Sequence, residues 1–230
     1  MSTNLKWIGE KARTSPGQVF TSLYHHVTDL DNLRDSYKAQ KGQKAPGADG
    51  MTKEKYEENL EENLQELSGK LKRMGYIPRP KKRTYVPKPG SDKKRPLGIS
   101  DFEDKIVEET VKRVLEPIYE TIFEASSFGY RPGRSPHDCV RALGETIQQH
   151  KVNYVVEADI RGFFDHVNHE WLLKFLEKRI GDRRILRLIK RMLKSGILEN
   201  GLVQASEEGT PQGAIITPRT QLITLNLNYL

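Results

Sequence analysis

The run Asn-Tyr-Val-Val-Glu-Ala-Asp-Ile at residues 153–160 restricts the architecture of this chain more than any other stretch. It is rich in β-branched and aromatic residues, the composition of a pleated, half-buried strand. Alternation sets Val155, Glu157 and Asp159 on one face and Val156, Ala158 and Ile160 on the other. Helical stripes surround this run, so a chain that mixes helices with at least one strand is expected.

Ser15-Pro16 reads as a cap and first turn, opening a helix with Val19, Phe20, Leu23, Tyr24, Val27 and Leu30 on one side and ending near Gly42. The turn-rich stretch from Ala45 to Gly50 follows, and Thr52 then caps a helix whose inner face holds Tyr56, Leu60, Leu64 and Leu67. Pro78, Pro80, Pro87 and Pro89 break the chain and leave Thr84 to Lys88 and Arg95 to Ser100 as a β-hairpin with a basic tip. Asp101 caps a helix striped by Ile106, Val107, Val111, Val114 and Ile118, which Pro117 should kink or end. A loop from Gly129 to Pro136 leads to a helix over Asp138 to Gln149, and Asn168 or His169 starts another carrying Trp171, Leu172, Phe175 and Leu176.

Charge narrows the function classes. Thirty-eight Lys and Arg face 31 Asp and Glu, a formal charge of +7, with a pI near 9.3. From Lys70 to Arg95 there are eleven basic residues, among them Lys81, Lys82 and Arg83, against one acid, Asp92. A second cluster runs from Lys178 to Lys194, interleaved with Ile185, Leu188, Ile189 and Met192 at helical spacing. Either cluster alone is as well explained by a solvated face, but two in one basic chain favour a phosphate-bearing partner. The single cysteine, Cys139, excludes an internal disulfide framework and a cysteine-based zinc cluster. No apolar run approaches membrane-spanning length and the first residues lack the apolar stretch of a signal peptide, so a soluble, unexported protein with no membrane partner is expected.

Asp159 followed by Ile160-Arg161-Gly162-Phe163-Phe164-Asp165 places a carboxylate at a strand end, then a glycine turn, then an aromatic five positions on. A polymerase needs such an arrangement, a rigid strand holding a Mg²⁺-binding Asp and a turn tucking a ring beneath the incoming sugar. An Asp ending a strand is more often a turn or cap residue, and taken alone these residues leave both readings open.

Five blocks in order then bear a resemblance: Pro46-Gly47-Ala48-Asp49-Gly50-Met51-Thr52; Tyr85-Val86-Pro87-Lys88-Pro89-Gly90 running to Arg95-Pro96-Leu97-Gly98-Ile99; Phe128-Gly129-Tyr130-Arg131-Pro132-Gly133-Arg134-Ser135; Ala158 to Asp165; and Gly209-Thr210-Pro211-Gln212-Gly213. Together they resemble the bacterial group II intron reverse transcriptase/maturase family over about three-quarters of the chain. The resemblance implies an α+β, right-hand polymerase fold: helical fingers with a β-hairpin, then the start of an antiparallel palm sheet that the run at 153–160 would open. Its expected divisions are an N-terminal extension with the first fingers helices over 1–68, fingers with the basic hairpin over 69–150, and a partial palm over 151–230. Asp159 matches the first metal-binding, catalytic Asp of the palm, and Phe164 the ring that rejects a ribose 2′-OH. Lys88 and Arg95 match the fingers residues that grip a triphosphate, and Gln212 the residue beside the nascent base pair. Lys81, Lys82 and Arg83 fall in the basic segment expected to hold RNA, and Arg131 and Arg134 in a loop resembling one that borders the template.

The implied activity is RNA-directed DNA synthesis with Mg²⁺ and dNTP on an RNA template with a DNA primer, joined to binding of group II intron RNA, splicing assistance and retrohoming in a bacterial cytoplasm. The rival readings are a noncatalytic RNA-binding scaffold and a reverse transcriptase of the retron, diversity-generating or CRISPR-associated type. Two departures qualify the match. The sequence contains no Tyr-x-Asp-Asp, the family's source of its remaining catalytic carboxylates, and Arg219-Thr220-Gln221-Leu222-Ile223-Thr224 is more polar than the family's pattern. These residues are therefore expected to be inactive alone, and an incompletely covered palm sheet makes self-association as a homodimer an expectation.

Overall fold

The computed structural model describes residues 3–87, 90, 92–210, 213–218 and 222–224. Its helices are α1 (Thr3–Thr14), α2 (Tyr24–Thr28), α3 (Leu30–Lys38), α4 (Lys53–Glu57), α5 (Leu60–Lys72), α6 (Phe102–Tyr119), α7 (Pro136–Gln149), α8 (His169–Glu177) and α9 (Arg183–Leu193). The strands are β1 (Lys81–Pro87), β2 (Lys94–Ile99), β3 (Ile197–Glu199) and β4 (Leu202–Gln204), and a 3-10 turn covers Phe163–Asp165.

Helix α6 is the axis of the core. Its stripe of Ile106, Val107, Val111, Val114, Leu115, Ile118 and Tyr119 is buried. Against it lie Leu5, Ile8 and Ala12 of α1, Leu33 and Tyr37 of α3, Leu64, Leu67 and Leu71 of α5, and Leu172 and Leu176 of α8. Each buried aliphatic side chain contributes about 1.5–3 kcal/mol, and one continuous core joins residues from all three sequence segments. Pro117 lies inside α6, which continues to Tyr119. Among the described residues no helix is long and apolar enough to cross a membrane.

The N-terminal helical stripe is broken up by tertiary bonding. Ser15 ends α1, its N–H donating to Lys11, and does not open a helix. Phe20 forms a parallel bridge with Ile180: Phe20 N–H donates to Arg179 O, and Gly181 N–H donates back to Phe20 O, both at 2.8 Å. Asp182, the N-cap of α9, also accepts from the N–H groups of Leu23 and Tyr24 at 2.8 Å. One carboxylate thereby satisfies two helix starts far apart in sequence.

The hairpin forms as expected, in the register Lys82 opposite Ile99 through Pro87 opposite Lys94. Its sheet extends in the order β2-β1-β3-β4, with β1 and β3 parallel and β3 and β4 antiparallel. The expected strand at 153–160 is absent: those residues carry no regular secondary structure and are exposed, and the sheet formed is the mixed one around the hairpin. Tyr154 is 89% and Val156 88% exposed. A strand requires ladder partners, and none of the described strands runs beside this segment. Helix α7 starts with a capping box between Ser135 and Asp138 but buries no residue, leaving Val140, Leu143 and Ile147 exposed.

Candidate active site

The turn carrying Phe164 is built by its neighbours. Gly162 adopts φ +64°, and Asp165 N–H donates to Gly162 O at 2.9 Å, closing the 3-10 turn. Thr210 N–H donates to Phe164 O at 2.7 Å and Gly209 N–H to Val167 O at 2.8 Å, so the first half of the Gly-Thr-Pro-Gln-Gly block is laid along the turn. Gly209 has φ +79°, and a Cβ there would sit 2.8 Å from Asp165 O and 3.0 Å from Phe164 O. Only glycine meets both conditions. His169, the first residue of α8, is buried with Nε2 2.6 Å from Gly209 O, which makes it a further brace.

The hairpin closes over this turn. A cavity of about 130 Å³ is lined by Arg83 and Pro96 from the hairpin and by Phe164, Asp165, Gly209 and Thr210 from the turn and its brace. Gly213 lies against β2, where a Cβ would fall 3.2 Å from Gly98 O. Glu199, ending β3, accepts from the Tyr85 hydroxyl and lies 3.9 Å from Arg83 Nε, so it orients two β1 side chains. Arg95 is exposed on β2 opposite Val86. Lys88 and Gln212 lie outside the described residues.

A buried charge node joins β1 to α6. Lys81 and Glu108 are each 1% exposed and their charged groups are 3.1 Å apart. Glu108 also accepts from Ser100 Oγ at 2.9 Å and from Ile215 N–H at 2.8 Å, fastening β1, the end of β2 and the segment after Gly213 to α6. One turn earlier, burial pushes the Asp104 carboxyl up to about 7, while the Tyr76 hydroxyl and Arg79 N–H that it accepts from pull it down. Lys81 was expected on the RNA surface. In this fold its ammonium is enclosed and matched by Glu108, which leaves the exposed Lys82 and the half-buried Arg83 as the outward cations of that trio.

The two arginines of the Gly-Tyr-Arg-Pro-Gly-Arg-Ser block are also turned inward. Arg131, 8% exposed, donates to Glu120 at 3.0 Å and to the carbonyls of Glu124 and Ser127, with its guanidinium over Phe123. Arg134 donates to the carbonyls of Ala125 and Ser127 and lies over Phe128. Both brace the loop, and Tyr130, at φ +54°, is the aromatic side chain that the block exposes.

Asp159 lies on the exposed, irregular segment before the turn. Among the described residues no group of three or more His, Cys, Asp or Glu is placed to hold a metal ion. One exposed carboxylate does not make a divalent-ion site, because Mg²⁺ keeps its waters and needs further carboxylate or phosphate oxygens.

The bracing residues Glu108, His169 and Glu199 escaped sequence reasoning. Glu108 had a readable signal, an acid four residues after Asp104 and three before Val111 on the inward stripe. His169 and Glu199 had none, since their partners are remote in sequence.

Residues 86–227 match the family model described as reverse transcriptase (RNA-dependent DNA polymerase). Protein YkfC of Escherichia coli (strain K12) is 35% identical over 225 residues, 94% of this chain and 58% of that protein. Group II intron-encoded protein LtrA of Lactococcus lactis subsp. cremoris is 34% identical over 214 residues, 93% of this chain and 35% of that protein. This chain thus spans only part of the length of either relative. Among solved structures, a chain of a partial Cas6-RT-Cas1--Cas2 complex superposes with a TM-score of 0.60 at 22% identity, covering 89% of this chain and 34% of its own length, a likeness of fold alone. The chain belongs to the reverse transcriptase (RNA-dependent DNA polymerase) family, a family that depends on divalent metal, and it carries the sequence blocks of the group II intron-encoded members.

Proposed function

We propose that the whole protein is an RNA-directed DNA polymerase that also binds group II intron RNA and assists its splicing and retrohoming, and that this chain supplies its nucleotide-facing cavity and part of its RNA surface. The observation that carries the reading is the convergence of the Phe164 turn, the Gly209–Thr210 brace and the hairpin on one cavity. In this reading a dNTP enters beside Phe164, whose ring occupies the volume a 2′-OH would need. Arg83 faces its phosphates from the cavity wall, and Lys88 and Arg95 grip them from the hairpin, charge-assisted contacts that are strong and directional. Gly209 and His169 hold the ring in place, so discrimination against ribose rests on a preorganised wall.

Mg²⁺ is the ion proposed, with Asp159 as one ligand. The described residues do not complete its site. The 230 residues alone are proposed to bind RNA without extending a primer, and the uncovered apolar surface of α7 and residues 152–160 is proposed to favour homodimers. The rival scaffold reading draws support from the incomplete set of metal ligands among the described residues. Primer extension by the whole protein on an RNA template, with and without Asp159→Asn, separates the two: synthesis abolished by the substitution is expected, and tight RNA binding with no synthesis in either form would establish the scaffold.

A further inference from the structure

No residue of the second basic cluster lines the cavity, whose wall includes Gly196, two residues beyond Lys194, and the fold joins the cluster to part of the first. Arg191 of α9 donates through Nη1 to the carbonyls of Met74 and Tyr76, both at 2.8 Å, just past the end of α5. At the other end of α9, the Arg184 guanidinium lies over the Tyr24 ring, and the Tyr24 hydroxyl donates to Leu71 O in α5. The buried face of Ile185, Leu188, Ile189, Met192 and Leu193 fixes the rotation of α9 about its axis. Arg183, Arg187, Lys190 and Lys194 are consequently exposed in one line, running about 16 Å at 1.5 Å per residue. Lys72 and Arg73, exposed at the end of α5, stand at the foot of this surface.

These cations are not neutralised. Among the described residues none of Lys72, Arg73, Arg183, Arg187, Lys190 and Lys194 forms an ion pair, whereas Arg34, Lys81, Arg113 and Arg131 all do. The sequence holds no acid from Arg183 through Leu198. Asp182, beside them, is committed to two backbone N–H groups and Arg184. Helix α9 even carries two arginines and no acid in its first turn, where the helix dipole disfavours positive charge. An anionic partner would relieve both costs.

We propose that the outer face of α9, with the last turn of α5, binds the phosphate backbone of double-helical RNA, a surface distinct from the nucleotide cavity; the choice of RNA rests on the function proposed above. The chemistry of the face selects the partner. It exposes no aromatic ring, and single strands are held chiefly by stacking on such rings. A row of cations alone fits duplex recognition by backbone position and groove shape. A membrane surface is disfavoured, because the apolar face of α9 is buried within the protein.

The test uses the 230-residue chain and fluorescence anisotropy with a loop-free 20-base-pair RNA duplex between 50 and 200 mM KCl. Combining Arg183→Gln, Arg187→Gln, Lys190→Gln and Lys194→Gln should weaken binding at least ten-fold at 50 mM. It should also make the slope of log K against log salt shallower by about 3 to 4, the loss of four phosphate contacts. The comparison variant, Lys38→Gln, Lys41→Gln, Lys44→Gln and Lys55→Gln, removes the same charge from exposed positions elsewhere and should change binding less than three-fold. Thermal melts of both must match the parent chain, which these exposed positions allow. Equal losses in the two variants overturn the proposal, as does unchanged binding by the α9 variant. Tighter binding of single-stranded RNA, equal binding of a DNA duplex, or capture by phosphatidylserine vesicles in place of RNA also overturns it. Failure of the unaltered chain to bind any RNA would instead sink the broader RNA-binding reading, so the two failures are distinguishable.

Discussion

Glu108→Ala should come close to unfolding the protein. The side chain is enclosed, and three donors depend on it: Lys81 Nζ at 3.1 Å, Ser100 Oγ at 2.9 Å and Ile215 N–H at 2.8 Å. Truncation leaves an ammonium buried with only Ser195 Oγ, 3.4 Å away, as a remaining hydrogen-bond partner. Breaking a buried pair from one side costs about 3–5 kcal/mol. The stranded Ile215 N–H would add roughly 1–3 kcal/mol if it found no water, although the two costs overlap because the same loop relaxes for both. Against a typical total stability of about 5–15 kcal/mol, a loss near 4 kcal/mol moves a urea midpoint by between one and several molar units. The informative comparison is the neutral pair Glu108→Gln with Lys81→Met. Glutamine can still accept from Ile215 N–H, and methionine fills the lysine stem's volume without a charge, so most of the loss should be recovered. Urea unfolding followed by circular dichroism on the parent chain, Glu108→Gln, Lys81→Met and their double variant gives the coupling energy. A loss below about 1 kcal/mol for Glu108→Ala, or a double variant as unstable as the sum of the singles, would refute the claim that this pair fastens the hairpin to α6.

Phe164→Ala in the whole protein should raise rNTP incorporation relative to dNTP by ten-fold or more, measured at steady state; an unchanged ratio would show that the ring only packs. Gly209→Ala should cost about 1–3 kcal/mol through its positive φ and the crowding against Asp165 O, and it should relax the same sugar selectivity; a variant of full stability and selectivity would remove the brace from the account. Stability should fall as pH rises from about 4 to 7, because burial holds Asp104 up to about 7 in the fold. A carboxyl raised above its unfolded value binds more protons folded than unfolded in that window, so its penalty grows until it ionises in both states. Asp104→Asn should flatten this part of the pH profile of the urea midpoint, and an unaltered slope would assign the effect elsewhere.

The hairpin was legible in the sequence because four prolines and a glycine-bearing tip restrict the chain locally, and the register then follows from a turn between two short runs. Helices α6 and α9 were legible for a similar reason: their apolar stripes specify a buried face whatever covers it. The Phe164 turn and the glycine block were readable as motifs, but their contact was not, since it consists of backbone hydrogen bonds between residues more than forty positions apart. The same limit explains the failures. Residues 153–160 have the composition of a strand, yet a strand exists only through its ladder partners, and no described strand supplies them. The helix expected from Ser15 has an adequate stripe, yet its backbone is claimed by Arg179, Gly181 and Asp182. Lys81, Arg131 and Arg134 looked like surface cations, and in the fold each is matched or enclosed by acids, carbonyls and rings brought in from elsewhere. Local chemistry, set by φ preferences, caps and apolar periodicity, was thus written in the sequence by itself. Which charges face solvent, and which segments find partners, depended on desolvation and hydrogen bonding between distant residues, and only the tertiary structure decided them.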